Sequence, residues 1–389
     1  MLVRLRKEIQ EVPRALALLA TGFIACTAAT TAPSASPSTP SGSATPSGIS
    51  ASAPSSASAA AGIVDDRFGL VVSDTSGNAA IRSETSDRSI GTFAPQGRSW
   101  TSLSQTVSPD GLNIAYWAPV NDGPVLRVQQ SDGSAARAVF TGAKGMYGNA
   151  FAWSSDGTGL AVAIDNNCQE ICGAQGGQPV MELWTVDLVA KTSEKVASGQ
   201  FWIPVTWDRA KSVIAAGVTG PGGYLTGYHV IDVRQKAVVR SMGFDPTVIG
   251  RLKASSDARF VLLSVDNGTS STLSWWPLVE PQKRQDITQS GATAEWRPGT
   301  SEIWWVGALV PPGCRVPPCF GTDLSSLDVV TAATSTLRGQ FGGSIIGFRV
   351  DGSAAMTWQR GAPESLIAVD LRSGHTARLP VGGPFVRLR

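Results

Sequence analysis

The chain is constrained above all by one stretch, Ser108-Pro109-Asp110-Gly111, a turn that runs straight into Leu112-Asn113-Ile114-Ala115-Tyr116-Trp117. Weaker copies follow it to the C-terminus. Trp153-Ser154-Ser155-Asp156-Gly157 leads into an apolar run at 160–164, and Trp207-Asp208-Arg209-Ala210-Lys211 into one at 213–218. Ala254-Ser255-Ser256-Asp257 precedes 260–265, Trp296-Arg297-Pro298-Gly299 precedes 303–306, and Phe348-Arg349-Val350-Asp351-Gly352 precedes 354–358. The apolar residue before each turn, namely Val107, Trp153, Trp207, Ala254, Trp296 and Phe348, recurs at steps of 46, 54, 47, 42 and 52 residues.

A step of that length holds several short strands, which is the period of a β-propeller blade. The strand after each turn is apolar on consecutive residues, as in Phe260-Val261-Leu262-Leu263, whereas a half-exposed strand alternates. Both its faces are therefore buried, as they are in a blade held between two neighbours. Six turns give six blades. Residues 67–95 offer three more strands, at 68–73, 79–84 and 89–93, and 385–388 can supply a fourth. We therefore expect an all-β propeller of seven four-stranded blades, six being the alternative, closed by pairing of the N- and C-terminal strands so that no edge is left open.

A second signature comes after each turn. Val186-Asp187-Leu188, Ile231-Asp232-Val233, Leu327-Asp328-Val329 and Val369-Asp370-Leu371 each stand before a short polar turn. Blades built from a "W-SPDG-apolar strand" element and an "apolar-Asp-apolar-turn" element resemble the TolB-like, WD40-like propellers. The resemblance spans residues 63–389 and implies fold more than function. The turn aspartates are explained by turn duty: Pro109 presets the backbone, Asp110 bonds local amides, and Gly111 tolerates the geometry that closes the turn.

Ahead of the repeats, Arg4, Arg6, Lys7 and Arg14 precede an uncharged run at 15–25 that is too short to span a bilayer. We read 1–25 as a signal peptide. Phe23-Ile24-Ala25-Cys26 resembles the bacterial lipobox, which implies lipidation at Cys26; Phe23 replaces the usual leucine, and ordinary cleavage is the alternative. Residues 26–62 form a Ser-, Thr-, Ala- and Pro-rich tether reaching about 30 to 36 Å. The domain at 63–389 is then the propeller of an exported, membrane-anchored lipoprotein of the cell envelope, or of a secreted protein if Cys26 is not lipidated.

In an exported chain the remaining cysteines, Cys168, Cys172, Cys314 and Cys319, read as two local disulfides, Cys168 to Cys172 and Cys314 to Cys319. Each pair falls in a blade with a longer stretch between its turn and its second aspartate. A zinc site of all four thiols is the alternative, and it would require loops three repeats apart to meet.

A net charge of +2 with 16% charged residues provides no field for nucleic acid, and we expect none to bind. In this topology the b-to-c and d-to-a loops share one face, which the longer loops make the expected binding face. Trp100, Tyr147, Phe201, Trp202 and Phe341, with Phe244, fall near its d-to-a connections, where aromatic contact area suits a protein or glycan of the envelope. Wedging between blades is the competing role for each.

Catalysis has weaker support. His229 lies within a strand and His375 in a turn on the opposite face, and no Gly-x-Ser-x-Gly nucleophile motif occurs. The competing class is a metal-assisted hydrolase, lactonase or cyclase using Asp165, Asn166, Asn167, Glu170, Asp266 or Asn267 at the channel mouth. The preferred reading is a monomeric binding or scaffold propeller that needs no cofactor, with calcium left open.

Overall fold

A computed structural model of the chain describes residues 69–73, 79–83, 89–93, 107–118, 123–130, 135–166, 180–199, 201–220, 224–245, 250–266, 271–287, 291–307, 323–339, 341, 344–349, 351–359, 365–379 and 385–388. Its strands in chain order are β1 (Gly69–Ser73), β2 (Ala79–Ser83), β3 (Ser89–Phe93), β4 (Asn113–Ala118), β5 (Val125–Gln130) and β6 (Arg137–Thr141). Next come β7 (Met146–Trp153), β8 (Gly159–Asn166), β9 (Val180–Asp187), β10 (Thr192–Ser198), β11 (Phe201–Asp208), β12 (Val213–Thr219), β13 (Leu225–Asp232) and β14 (Ala237–Gly243). After them stand β15 (Gly250–Ala254), β16 (Phe260–Asp266), β17 (Ser271–Pro277), β18 (Gln285–Ile287), β19 (Gly291–Trp296), β20 (Glu302–Gly307), β21 (Leu324–Asp328) and β22 (Thr334–Leu337). The last are β23 (Ser344–Phe348), β24 (Ala354–Gln359), β25 (Ser365–Asp370), β26 (Thr376–Leu379) and β27 (Phe385–Leu388).

These strands form seven antiparallel sheets. Five are four consecutive strands each, from β7 to β26, and β4, β5 and β6 form a sheet of three. The remaining sheet has the order β27-β1-β2-β3, so the last strand of the chain takes the inner position beside the first. Seven blades and closure by the two chain ends are as expected from the six turns together with the strands at 68–93 and 385–388. We number them from this closing blade, so that β4–β6 are blade 2 and β23–β26 are blade 7. Among the described residues the inner position of blade 2 is represented by a single bridge from Val107 to Ile114.

The core lies between blades rather than within them. Leu160, Val162 and Ile164 of β8 pack with Trp117, Leu126 and Phe140 of blade 2, while Ala161 and Ala163 pack with Trp202, Ile214 and Ala216 of blade 4. Successive residues of one strand thus serve opposite neighbours, which is why the sequence reads as an unbroken apolar run. Each large side chain buried this way stabilises the ring by about 1.5–3 kcal/mol. Wherever blades 2 to 7 meet in sequence, one such cluster joins them.

The repeated turns have a shared construction. Ser108 and Ser154 each donate a hydroxyl hydrogen bond to Asp110 and Asp156, at 2.5 and 2.6 Å, and accept one from the amide that opens the next strand. Ser255 and Asp257 repeat it at 2.6 Å in the blade whose sequence matches least well. The second set of aspartates closes strands β9, β13, β21 and β25, and there Asp187, Asp232, Asp328 and Asp370 accept hydrogen bonds from turn amides. The longer blades carry their surplus where the spacing predicted, between Asn166 and Val180 and between Gly307 and Leu324.

Two units are distinguished in the chain, Met1–Ala59 and Ala60–Arg389. The first lies outside the described residues, as do Cys26, Trp100, Cys168, Cys172, Cys314 and Cys319. Among the described residues no helix is long and apolar enough to cross a membrane.

Candidate binding site

Antiparallel pairing puts the a-to-b and c-to-d turns on one face of the ring and the b-to-c and d-to-a loops on the other. On the turn face the inner strands of six blades converge around a cavity of about 120 Å³, whose lining includes Val107, Trp153, Thr206, Ala254, Trp296 and Phe348. Five of these are the residues that define the sequence repeat, so the repeat marks the ring axis. Lys253 and Glu295 also line the cavity and pair with each other across blades 5 and 6, and the ammonium donates a further bond to the Ala294 carbonyl at 3.2 Å. The pair answers its own charges at the axis.

The turn face is also where blades are clamped. Arg209 of blade 4 donates to the Thr158 carbonyl at 3.0 Å and to Asp187 Oδ2 at 2.5 Å in blade 3, and its guanidinium lies 5.0 Å from the Trp207 ring centre. Arg297 of blade 6 donates to the Gly352 carbonyl of blade 7 at 2.9 Å. Asp187 is held below its ordinary pKa, first by its hydrogen bond from the Ala190 amide and then by Arg209. Satisfied groups of this kind hold structure and leave little for a ligand.

The loop face is different at the junction of blades 3 and 4. Tyr147, Asp165 and Met181 stand in register across β7, β8 and β9, so their side chains share one side of blade 3. Met181 belongs to the cluster shared with blade 4, which fixes that side as the one facing β11. A parallel bridge between Ser154 and Trp207 joins the facing inner strands, and Trp202 belongs to the same cluster as Met181. Asn149 Oδ1, Asp165 Oδ1, Trp202 Nε1 and His229 Nδ1 are all buried, and none has a hydrogen-bond partner among the described residues. Buried polar atoms without partners are rare enough that each needs an explanation.

Beside them is a recess of about 500 Å³ lined by Gly199, Phe201, Val218, Gly227, His229 and Gly243, among others. Gly227 keeps it open: a Cβ there would stand 4.0 Å from His229 Nε2 and 3.1 Å from the Met242 carbonyl oxygen. The His229 ring packs edge-on to Trp202 at 5.5 Å, and burial holds its pKa below the ordinary histidine value, so the imidazole is neutral at pH 7. No hydrogen bond joins it to Ser241, its cross-strand neighbour, so no nucleophile–base pair is formed between them. Burial raises the pKa of Asp165.

No protein-family model and no curated protein matches the sequence. Solved structures match the fold. A chain of the mitotic checkpoint complex is 14% identical with a TM-score of 0.50, over 78% of this chain and 84% of that one. TolB from Acinetobacter baumannii is 14% identical with a TM-score of 0.42, over 82% and 80%. An oligogalacturonate lyase from Vibrio parahaemolyticus is 10% identical with a TM-score of 0.45, over 76% and 89%. This chain folds as a β-propeller. Identities this low speak to fold alone, and function has to be argued from the site.

The aromatic residues expected on the loop face divide sharply. Tyr147 is 40% exposed and Phe201 is half-buried at the recess, whereas Trp202 and Phe341 are each only 2% exposed, inside the clusters between blades. Tyr147, Phe201 and Trp202 lie within the first residues of inner strands rather than in the connections before them, because β7 and β11 are eight residues long. Phe244 packs against Trp276 at 6.1 Å. Of the residues suited to metal-assisted chemistry, Asp165 ends up at the groove-like junction of blades 3 and 4, beside the recess and not in its lining. Asn166 and Asp266 are the last residues of β8 and β16, and Asn167, Glu170 and Asn267 lie outside the described residues. His229 does not stand out in the sequence because a histidine inside a strand has no visible partner there; only the missing side chain at Gly227, two residues away, hints at a recess.

Proposed function

We propose that this chain is an exported, lipid-anchored propeller that acts as a binding or scaffold protein at the cell envelope, holding an envelope protein or cell-wall glycan on its loop-rich face. Residues 1–25 direct export, Cys26 carries the lipid, and the tether at 26–62 lets the ring stand clear of the headgroups. Disulfides Cys168 to Cys172 and Cys314 to Cys319 restrain the two longest loops of that face. The ring works as a monomer, without a cofactor.

The observation that carries this reading is the junction of blades 3 and 4, where exposed and half-buried aromatic rings stand near buried polar atoms that lack partners among the described residues. Aromatic area beside unsatisfied polar groups is what a binding site offers before its ligand arrives. A pull-down tests it. The full chain in detergent serves as bait for an envelope extract of the source cell, beside a Tyr147→Ala, Phe201→Ala bait with an unchanged melting temperature. Material held by the first and lost from the second is expected; equal capture by both, or none by either, counts against the loop face as the contact surface.

A further inference from the structure

The inner strand of blade 3 is irregular where the groove opens. β7 and β8 pair Tyr147 with Asp165 and Gly148 with Ile164, then skip Asn149 and resume at Ala150 with Ala163. Gly148 faces blade 2, since a side chain there would run into the Trp117 ring, and Ala150 belongs to the cluster shared with blade 4. Asn149 is the extra residue of a β-bulge, a device that re-aims a side chain and recurs beside functional sites. Its amide nitrogen lies 3.5 Å from the Met181 sulfur, so it points toward blade 4, to the side where Asp165 also stands.

The bulge thus gathers two oxygen acceptors and provides no donor for them. Asn149 is 6% exposed and Asp165 8% exposed, and Oδ1 of each has no hydrogen-bond partner among the described residues. No Lys or Arg is ion-paired with Asp165 among those residues either. Burying an unpaired carboxylate is costly, and the cost is removed when a positive charge arrives. The other neighbours on that side of the blade are soft: the Met181 thioether and the Tyr147 ring, which is 40% exposed. Calcium takes six to eight oxygens, more than the three side-chain oxygens that Asn149 and Asp165 present, whereas a ring beside a carboxylate is the usual setting for an organic cation.

We propose that this end of blade 3 binds the lysine or arginine side chain of a protein partner, its ammonium or guanidinium group donating to Asn149 and Asp165 beside the ring of Tyr147. The proposal rests on the binding reading above and adds the chemistry that the partner must carry.

Calorimetry on the full chain in detergent tests it with N-acetyl-arginine amide, its neutral isostere N-acetyl-citrulline amide, and calcium chloride. The arginine probe is expected to bind about tenfold tighter than the citrulline probe, as a hydrogen-bonded charge should. Asp165→Asn should erase that difference, and Tyr147→Ala, at an exposed position that leaves the fold in place, should weaken the arginine probe by about two- to fivefold. Equal binding of the two amides would overturn the proposal, as would calcium competing with arginine. Binding of neither amide would leave a pocket filled by water and overturn it too. None of these outcomes depends on whether the envelope bait captures anything, so the two readings fail separately.

Discussion

Asp165 is a buried carboxylate: burial raises its pKa above the ordinary 3.8, and no hydrogen bond among the described residues offsets that shift. Between 3.8 and the raised value the folded protein binds more protons than the unfolded chain, so stability falls as pH rises through this window and stays reduced above it. The turn aspartates behave oppositely. Asp370 is held below its ordinary value, first by the Ser373 hydroxyl and then by the Ser373 amide, and Asp328 first by the Ser301 hydroxyl. They add stability that is present above the ordinary value and lost as pH falls through their lowered ones. Asp165→Asn should therefore raise the melting temperature at pH 7, with the gain shrinking as pH falls toward 4. Thermal unfolding of both proteins across that range checks it. An equal or lower melting temperature at pH 7 would mean that the carboxylate is already compensated. A residue that costs stability while gaining nothing from its own fold is the pattern expected of a binding group.

At the junctions of blades 2 and 3 and of blades 3 and 4, a tryptophan ring lies on a glycine of the neighbouring blade. Gly148 in β7 lies under Trp117 of blade 2, and Gly159 in β8 lies under Trp207 of blade 4, each so close that a Cβ would enter the ring. Gly148→Ala or Gly159→Ala should therefore cost about 1–3 kcal/mol through overpacking. Gly145 separates this effect from backbone strain. It has φ +85° and open space around its missing Cβ, so Gly145→Ala should cost only about 1 kcal/mol, from the left-handed backbone alone. Chemical denaturation of the three variants gives the comparison; equal losses at all three would mean that the interblade contact is looser than it looks. The Trp residues at the turns were visible in the sequence and their glycine partners were not, because the two lie in different repeats. The same limit applies to the groove. The turns Ser108-x-Asp110, Ser154-x-Asp156 and Ser255-x-Asp257 announce themselves locally, as does the aspartate closing each third strand. A strand buried on both faces has no alternation to show which side Trp202 or Asp165 takes, and nothing around Asn149 signals a bulge that depends on the pairing of β8. Tyr147 and Trp202 therefore look alike in the sequence and end up 40% and 2% exposed.

At the scale of the whole molecule, the ring is closed by pairing between the first and last strands. β27 pairs antiparallel with β1 at Leu70 with Leu388, Val71 with Arg387 and Val72 with Phe385, so four residues at the end of the chain complete the first blade. Every other blade joins its neighbours through continuous chain; this one joins the two ends. Removing 385–389 would strip the inner strand from blade 1 and leave β1 as an exposed edge, which is a template for pairing with another molecule. The truncated chain should melt well below the full one and self-associate more than the full chain does at the same concentration. Scanning calorimetry and light scattering measure the two effects. The groove provides a third readout, because blades 3 and 4 lie far from the seam along the chain and keep their own cluster of Met181, Trp202 and Ile214. If the ring unfolds as one unit, probe binding should vanish at the same temperature as the overall structure. If blades 3 and 4 outlast the seam, the arginine probe should still bind after blade 1 has opened, and the propeller would then be a row of separable pairs rather than a single cooperative ring.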